Sequence, residues 1–299
     1  MTKNNKILIA TGGTGGHVFP AYSLAKFLIK KNYNVILTSD IRGLNYLKNY
    51  NEFNLIKISS SPLIKKDILS FLLSIIRILI SIFRSLIFLL FNRPTIIFGM
   101  GGYSSFPVCI AATILRIKFI IYENNLIIGR ANKYLLPFAK KLLVSYKNLE
   151  GISQKYDNKI IEIGNIVREE IIFSKFKNNE NSIFKELKIL VLGGSQAAKV
   201  FAEQLPQIFK KLKNSEIPIT VYQQCLKEQK NNLIQFYKKA KIDCEIFNFT
   251  KKIVEHYSKA NLVITRSGAS VLGELINLNI PFISIPLPTS TDNHQLKNA

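Results

Sequence analysis

The chain has 299 residues, of which 47% are hydrophobic, enough to bury a large core and form about two domains. This composition excludes a chain that is disordered over most of its length. Lysine and arginine outnumber aspartate and glutamate by 41 to 19, giving a formal net charge of +22. A balance this basic predicts an anionic partner: a nucleic acid, an anionic membrane face or a phosphate-bearing substrate.

The three cysteines and the N-terminus predict the cellular compartment. Cys109, Cys225 and Cys244 lack the paired spacing of a zinc site or a disulfide framework, which favours a reducing cytosol. The N-terminal residues lead directly into a strand pattern, so we expect no signal peptide.

Short β-branched runs alternate with helical stretches along the chain. The strand candidates are KILIA, NVILTS, LIKIS, TIIFG, FIIYE and KKLLVSY in the first half, and KILVLGG, ITVYQQ, CEIFNF, NLVITR and PFISIP in the second. This alternation predicts an α/β fold with parallel sheets and crossover helices. A polar stretch at 174–186 resembles a linker. We therefore expect two doubly wound Rossmann-like domains that face a cleft, at residues 1–164 and 165–299.

Residues 67–91, DILSFLLSIIRILISIFRSLIFLLF, are long enough to span a bilayer as a helix. A spanning helix would carry Arg77 and Arg84 into hydrocarbon at a cost of several kcal/mol. We expect instead a helix that packs partly on the sheet and meets an anionic membrane surface with the rest, aided by basic flanks. A wholly buried crossover helix is the alternative. The residues expected at the membrane are Leu73, Ile76, Arg77, Ile80, Phe83 and Arg84.

Four glycine-rich loops each lie between a strand and a helix. They are TGGTGGH at 11–17, FGMGGYSSFP at 98–107, VLGGSQAAK at 191–199 and TRSGASVLGE at 265–274. The first lacks the Walker A ending, and Val18 breaks the G-x-G-x-x-G pattern. Glycines let backbone N–H groups approach phosphate oxygens, and the following helix points its positive end at them. Four such loops predict two phosphate-bearing molecules that meet in one cleft.

Seven motifs occur jointly along the chain: TGGTGGHVFPA, GMGGYSSFP, YENNLIIGRANK, GNIVR, GGSQAA, RSGAS with Glu274, and DNHQLKNA. In this order and spacing the chain resembles the glycosyltransferase family 28 enzymes of peptidoglycan synthesis. The resemblance implies a GT-B fold and inverting transfer of N-acetylglucosamine from UDP-N-acetylglucosamine to undecaprenyl-pyrophosphoryl-N-acetylmuramoyl-pentapeptide, which converts lipid I to lipid II. It also implies peripheral attachment to the cytoplasmic face of the bacterial inner (plasma) membrane, with no nucleic-acid partner.

The resemblance further implies a site for the donor, UDP-N-acetylglucosamine. Ser195 and the SGAS turn would hold its diphosphate, and Glu274 would accept hydrogen bonds from the ribose. The backbone near Phe249 and Thr250 would read uracil. The residues expected to contact the donor are Thr14, Gly15, Gly16, Asn125, Arg168, Ser195, Thr250, Gly268, Ala269, Ser270, Glu274, His294 and Gln295.

The same resemblance assigns the first-half loops to the acceptor diphosphate. The residues expected there are Gly13, Gly101, Gly102 and Tyr103, together with Gly15 and Gly16, which would contact both substrates. No Asp-x-Asp pair is present, so we expect no tightly bound metal, although a divalent cation could stimulate the reaction. Helix N-termini and Arg168 would then neutralise the leaving UDP.

His17 is the expected general base. It lies at a loop-to-helix junction, where the positive helix end disfavours the imidazolium, whereas a bound diphosphate would favour it. The alternative role for His17 is a helix cap or a hydrogen-bond donor to the ligand. Glu123 is a rival base or an orienting partner.

Three positions depart from the family pattern. The chain has Tyr122 where His is common, Ile166 where Pro is usual, and Val271 where Thr is common. Relatives also continue for several dozen residues beyond DNHQLKNA, so we expect an incomplete second domain and poor solubility. Three other interpretations stay open: another GT-B enzyme such as a glycolipid synthase or a UDP-N-acetylglucosamine 2-epimerase, a non-enzymatic nucleic-acid binder, and an inactive truncated product.

Overall fold

A computed structural model describes residues 6–48, 54–58, 67–174, 186–248, 250, 252–288 and 293–299, without the side chains of 195–198. The chain forms two compact units, Met1–Arg168 and Glu169–Ala299, called here the N-terminal and C-terminal units. The sequence-based boundary was placed between residues 164 and 165. Most of the expected linker, residues 175–185, lies outside the described residues.

The N-terminal unit contains a seven-stranded parallel sheet in the order β3-β2-β1-β4-β5-β6-β7. Its helices are α1 (Gly15–Lys30), α2 (Ile41–Leu47), α3 (Ile68–Phe91), α4 (Gly102–Ile114) and α5 (Arg130–Leu135), with a 3₁₀ helix at Gln154–Lys159. Its strands are β1 (Lys6–Ala10), β2 (Asn34–Ser39), β3 (Asn54–Lys57), β4 (Ile96–Gly99), β5 (Phe119–Glu123), β6 (Lys141–Val144) and β7 (Ile160–Glu162).

The C-terminal unit contains a five-stranded parallel sheet in the order β10-β9-β8-β11-β12. Its strands are β8 (Leu187–Leu192), β9 (Ile219–Gln224), β10 (Asp243–Phe247), β11 (Leu262–Thr265) and β12 (Phe282–Ser284). Its helices are α6 (Glu169–Phe173), α7 (Gly194–Asn214), α8 (Lys230–Lys239), α9 (Ile253–Lys259), α10 (Ala269–Asn277) and α11 (His294–Asn298), with a 3₁₀ turn at Lys227–Gln229.

The two sheets confirm the prediction of two doubly wound parallel α/β domains. Leu8, Ile97 and Ile121 on adjacent strands are fully buried, because helices cover both faces of a parallel sheet and its strands are therefore apolar throughout. Sequence patterns identified eleven of the strands with small errors at their ends. They missed β7, a three-residue strand at the edge of its sheet.

The strand order places all four glycine-rich loops at equivalent positions. In the N-terminal unit the chain moves outward from β1 through β2 to β3 and then returns to β4, so the order reverses between β1 and β4. The same reversal lies between β8 and β11 in the C-terminal unit. Open α/β sheets bind ligands outside the carboxyl ends of the strands at such reversals, and the loops at 11–17, 98–107, 191–199 and 265–274 follow these four strands.

Helix α3 faces the protein with three of its serines. Ser74, Ser81 and Ser85 are buried, and their hydroxyls donate to the carbonyl four residues earlier at 2.7, 2.7 and 2.8 Å. Only 22% of its most apolar window is buried, and its length and mean hydropathy of 2.2 would allow it to cross a membrane. The alternative of a wholly buried helix is therefore wrong. The exposed apolar residues of α3 are Ile68, Leu69, Leu72, Leu73, Ile76, Leu79, Ile80, Phe83, Ile87, Leu90 and Phe91.

Candidate functional site

The first glycine loop is fastened to the end of the neighbouring strand. The Gly13 N–H donates to Asp40 Oδ1 at 2.8 Å. Gly12 and Gly13 have φ values of +151° and +79°, and a Cβ on Gly12 would lie 2.6 Å from that oxygen. Only glycine fits this conformation and approach without strain. Gly13 was expected at the acceptor diphosphate, and its N–H is directed at Asp40.

Asp40 is a residue of the site that sequence analysis missed. Its side chain is 4% exposed and caps α2 by accepting from the Gly43 N–H at 2.9 Å. Arg42 donates to its second oxygen from Nε at 3.1 Å and lies 3.0 Å from it through Nη2. Burial alone would raise the Asp40 pKa, but the hydrogen bonds from Gly13 and Gly43 and the charge of Arg42 outweigh it, so the pKa is lowered. The sequence signal for this role was that Asp40 directly follows the strand β2.

His17 lies in the first turn of α1, against the second glycine loop. The backbone N–H of His17 donates to the Thr14 carbonyl at 3.1 Å, and the backbone carbonyl of His17 accepts from Thr11 Oγ1 at 2.9 Å. A Cβ on Gly101 would lie 2.9 Å from His17 Nδ1, and one on Gly102 would lie 3.2 Å from Cδ2. Gly101 and Gly102 therefore make room for the half-buried imidazole. This role is additional to the expected contact with a diphosphate, and the expected acceptor residue Tyr103 follows directly in α4.

Glu123 ends β5 and organises the loop that follows. Its side chain is buried at 2% exposure. Oε1 accepts from the backbone N–H of Asn125 at 3.1 Å and from its side-chain Nδ2 at 2.8 Å, while Oε2 accepts from the Gly129 N–H at 2.9 Å and from Asn132 Nδ2 at 3.0 Å. A carboxylate that accepts four hydrogen bonds from residues 125–132 suits the orienting role better than that of a base.

Asn124 connects this loop to the first one. Its Nδ2 donates to the Gly16 carbonyl at 2.9 Å, and its Oδ1 accepts from Asn125 Nδ2 at 3.1 Å. Asn124 is 4% exposed. The start of α1 and the end of β5 are therefore held together, which brings the segments of His17, Glu123 and Asn125 to one edge of the sheet.

Tyr122 connects β5 to the segment that ends the N-terminal unit. Its hydroxyl accepts from the Ile166 N–H at 3.1 Å and lies 2.8 Å from Ser145 Oγ. Burial raises the pKa of Tyr122, with the hydrogen bonds from Ser145 and Ile166 acting in the opposite direction. Two of the departures from the family pattern, Tyr122 and Ile166, are thus direct hydrogen-bond partners.

Arg168, expected at the donor diphosphate, places its guanidinium 5.3 Å from the centre of the Phe19 ring.

In the C-terminal unit a glutamine fastens the glycine loop. Gly194, with φ at +63°, donates its N–H to Gln224 Oε1 at 3.1 Å, and Gln224 Nε2 donates to the Asn248 carbonyl at 3.1 Å. The Ser195 side chain and Phe249 lie outside the described part of the chain. Thr250, expected near uracil, accepts a hydrogen bond from the Lys252 N–H through its Oγ1 at 3.0 Å.

The fourth glycine loop leads into α10, whose cap is Gly268. Ala269 is buried and Ser270 is half-buried. Glu274, expected at the ribose, is 5% exposed and its Oε2 accepts from the Tyr257 hydroxyl at 2.9 Å. Tyr257 is buried in the core. Its hydrogen bond therefore fixes the rotamer of the Glu274 side chain.

Helix α11 is attached to the same edge of the second sheet. Gln295 Oε1 accepts from the Leu287 N–H at 2.9 Å, and Asn298 Nδ2 donates to the Ser267 carbonyl at 3.1 Å. His294, the first residue of α11, is half-buried. The structure therefore brings His294 and Gln295 to the loop that contains Gly268.

Arg266 is a second residue that sequence analysis missed. Its Nη1 donates to the carbonyls of Ile285 and Pro286 at 3.3 and 3.0 Å, and its guanidinium lies 4.6 Å from the centre of the Phe201 ring. Burial lowers the pKa of Arg266. The position of Arg266 in the TRSGAS motif was the sequence signal that could have identified it as a site residue.

Among the described residues, no group of three or more His, Cys, Asp or Glu could hold a metal ion.

Comparisons with known proteins agree with this organisation. The model of the glycosyltransferase family 28 N-terminal domain matches residues 7–144, and that of the glycosyltransferase family 28 C-terminal domain matches residues 188–299. The UDP-N-acetylglucosamine--N-acetylmuramyl-(pentapeptide) pyrophosphoryl-undecaprenol N-acetylglucosamine transferase of Pelagibacter ubique is 38% identical over 99% of this chain and 81% of its own length. The Rickettsia canadensis protein of the same name is 35% identical over 98% of this chain and 82% of its own length.

Solved structures show the same fold. The crystal structure of Acinetobacter baumannii MurG has a TM-score of 0.72 and 26% identity over 98% of this chain and 81% of its own. A Staphylococcus aureus MnaA structure with UDP has a TM-score of 0.62 at 16% identity over 93% of this chain and 78% of its own, a likeness of fold alone. Two parallel-sheet α/β units that match the MurG structure define the GT-B fold. The chain belongs to glycosyltransferase family 28.

Proposed function

We propose that the protein transfers N-acetylglucosamine from UDP-N-acetylglucosamine to undecaprenyl-pyrophosphoryl-N-acetylmuramoyl-pentapeptide, with inversion at the anomeric carbon. The observation that carries the proposal is the 38% identity, over 99% of the chain, to a Pelagibacter ubique protein named for this reaction. The two glycine-loop pairs supply one phosphate-binding edge for each substrate.

His17 is the proposed general base. In the transfer an acceptor hydroxyl forms a bond to the anomeric carbon, the bond from that carbon to the diphosphate oxygen breaks, and UDP leaves. The hydroxyl proton moves to the His17 imidazole. The ring is half-buried at the carboxyl edge of the sheet and is fitted against Gly101 and Gly102. This placement supports the role because a base needs a fixed position within hydrogen-bond reach of its proton.

Glu123 is proposed as the residue that orients Asn125 toward the donor sugar. Its four hydrogen-bond donors all belong to the 125–132 segment. With both oxygens engaged, the carboxylate fixes the Asn125 side chain, and His17 remains the better candidate for proton transfer.

The donor diphosphate is proposed to bind at the two glycine loops of the C-terminal unit. The N–H groups at the start of α7 and α10 and the charges of Arg168 and Arg266 would neutralise the leaving UDP. A divalent cation would assist without a dedicated set of ligands. Gln295 and His294 would address the sugar hydroxyls from the start of α11.

Helix α3 is proposed to attach the protein to the cytoplasmic face of the plasma membrane. Its exposed face is apolar over its whole length, while Arg77 and Arg84 are exposed beside that face. An apolar face with basic neighbours binds anionic lipid surfaces by combining burial with electrostatic attraction. The attachment would bring the N-terminal unit to the lipid-linked acceptor.

The proposal is tested by incubating the purified 299-residue chain with labelled UDP-N-acetylglucosamine and a short-chain analogue of the muramoyl lipid. We expect a labelled disaccharide lipid and equimolar UDP, and no product when the acceptor is omitted. Epimerisation of free UDP-N-acetylglucosamine without acceptor would instead support the epimerase alternative. Retention of RNA without retention of UDP-sugar would support a nucleic-acid binder.

A further inference from the structure

Asp40 and Arg42 form a charged pair beside the first glycine loop. One carboxylate oxygen accepts the N–H groups of Gly13 and Gly43, at 2.8 and 2.9 Å. The other is bound by Arg42 through Nε at 3.1 Å and lies 3.0 Å from Nη2. The two side chains differ in exposure, at 4% for Asp40 and 53% for Arg42. The negative member of the pair is therefore buried and the positive member faces solvent.

The position of the guanidinium is set by this pair. A Cβ on Gly13 would lie 3.7 Å from Arg42 Nη2, so the guanidinium lies next to the backbone of the glycine loop. A guanidinium carries five N–H donors. The Asp40 carboxylate contacts only the edge formed by Nε and Nη2. A guanidinium held in this way keeps a fork of donors that matches phosphate oxygens.

A buried carboxylate under an anion-binding loop needs a compensating charge. Without Arg42, the negative charge of Asp40 would lie one hydrogen bond from the loop and would repel a diphosphate. With Arg42, the pair is neutral overall and presents its cation outward. The C-terminal unit uses the neutral Gln224 to fasten Gly194 in the same way, so the added charge distinguishes the N-terminal loop.

We infer that Arg42 is a further diphosphate-contacting residue of the loop at 11–17 and that Asp40 is its positioning residue. The ligand class is the diphosphate of the lipid-linked acceptor, and in this respect the inference rests on the proposed function. Asp40 fixes both the Gly13 backbone and the guanidinium, so one side chain sets the geometry of two parts of the anion site.

The test uses inorganic pyrophosphate as the probe, titrated by calorimetry into the full chain with UDP at saturating concentration to occupy the donor site. The variants are Arg42→Gln, Arg42→Lys and Asp40→Asn, and the matched control is Arg116→Gln, an exposed arginine between α4 and β5. KM values for the acceptor analogue and for UDP-N-acetylglucosamine are measured on the same proteins, and a thermal melt of each variant checks that it folds.

We expect Arg42→Gln to weaken pyrophosphate binding by about tenfold to a hundredfold, the range for a lost charge-assisted hydrogen bond. It should raise the acceptor KM and leave the donor KM unchanged. Arg42→Lys should recover part of the loss, and Arg116→Gln should have no effect. Asp40→Asn should weaken binding less than Arg42→Gln does, because it frees the guanidinium from its fixed position but also removes the negative charge beneath the loop.

Unchanged pyrophosphate binding in Arg42→Gln, or no pyrophosphate binding by the unaltered chain, would overturn the inference. A chain that binds pyrophosphate through Arg42 but transfers no sugar would overturn the proposed function and leave Arg42 as an anion-binding residue. The two failures are therefore distinguishable.

Discussion

Glu123 Oε1 accepts two hydrogen bonds from Asn125, one from the backbone N–H at 3.1 Å and one from the side-chain Nδ2 at 2.8 Å. The carboxylate therefore fixes both the backbone and the side chain of a residue that is expected to meet the donor sugar. The second oxygen is engaged by Gly129 and Asn132, which leaves the group as an organiser of the loop.

Replacing Glu123 with glutamine should disturb this loop. One end of the amide would be an NH₂ group facing existing N–H donors, so we expect the free energy of unfolding to fall by about 1–3 kcal/mol. Turnover should fall as Asn125 loses its orientation. Urea unfolding and steady-state kinetics measure both effects, and Glu203→Gln, at an exposed position of α7, is the control. Wild-type stability in Glu123→Gln would contradict this account.

His17→Ala should lower kcat by about 10²–10⁴-fold, the usual contribution of a general base. The KM for UDP-N-acetylglucosamine should change little, because the expected role of the ring is proton transfer. Near-normal turnover would remove His17 from the base role.

The exposed face of α3 should control binding to anionic vesicles. Replacing Ile76, Ile80 and Phe83 together with serine should weaken sedimentation with phosphatidylglycerol vesicles and leave the thermal midpoint nearly unchanged, because these side chains are 51%, 46% and 63% exposed. Ile114→Ser, at a position of α4 that is 58% exposed, is the control for a lost surface apolar residue. Equal vesicle binding by the triple variant and the original chain would refute attachment through α3.

Tyr122→Phe should destabilise the protein and change its response to alkaline pH. The Ile166 N–H would lose its acceptor, at a cost of about 1–3 kcal/mol. Burial raises the native pKa of Tyr122 above its ordinary value of 10.0. Its contribution to stability is therefore complete below about pH 10 and decreases as the pH rises through the native pKa.

The measurement is urea unfolding at about pH 8 and about pH 10.5, on either side of the ordinary tyrosine pKa. The original chain should lose more stability between the two values than Tyr122→Phe does. Tyr134→Phe, at a side chain that is 66% exposed, should behave like the original chain. An identical pH response in Tyr122→Phe and the original chain would show that the buried phenol does not contribute.

Gln224→Leu should raise the KM for UDP-N-acetylglucosamine by several-fold and leave the acceptor KM unchanged. The substitution removes the acceptor of the Gly194 N–H and the donor to the Asn248 carbonyl, so the loop at the start of α7 loses its support. Gln204→Leu, at an exposed position of the same helix, is the control. A change in the acceptor KM instead would contradict the assignment of this loop to the donor.

The sequence by itself determined the class of fold and the positions of the glycine loops. Strands such as KILIA and FIIYE are apolar throughout because both faces of a parallel sheet are covered, and this local pattern can be identified without tertiary contacts. The length of α3 was also evident. Which face of α3 packs against the protein depended on its contacts with other elements.

Only the tertiary structure decided which groups are partners. Gly13 and Asp40 are 27 residues apart, and Tyr122 and Ile166 are 44 apart, so no local pattern connects them. Parallel topology brings the ends of distant strands to one edge, where the Asp40 carboxylate accepts the N–H of a glycine in the loop at 11–17. Hydrogen bonds depend on distances of about 3 Å and on direction, and these are properties of the folded chain that the order of residues does not contain.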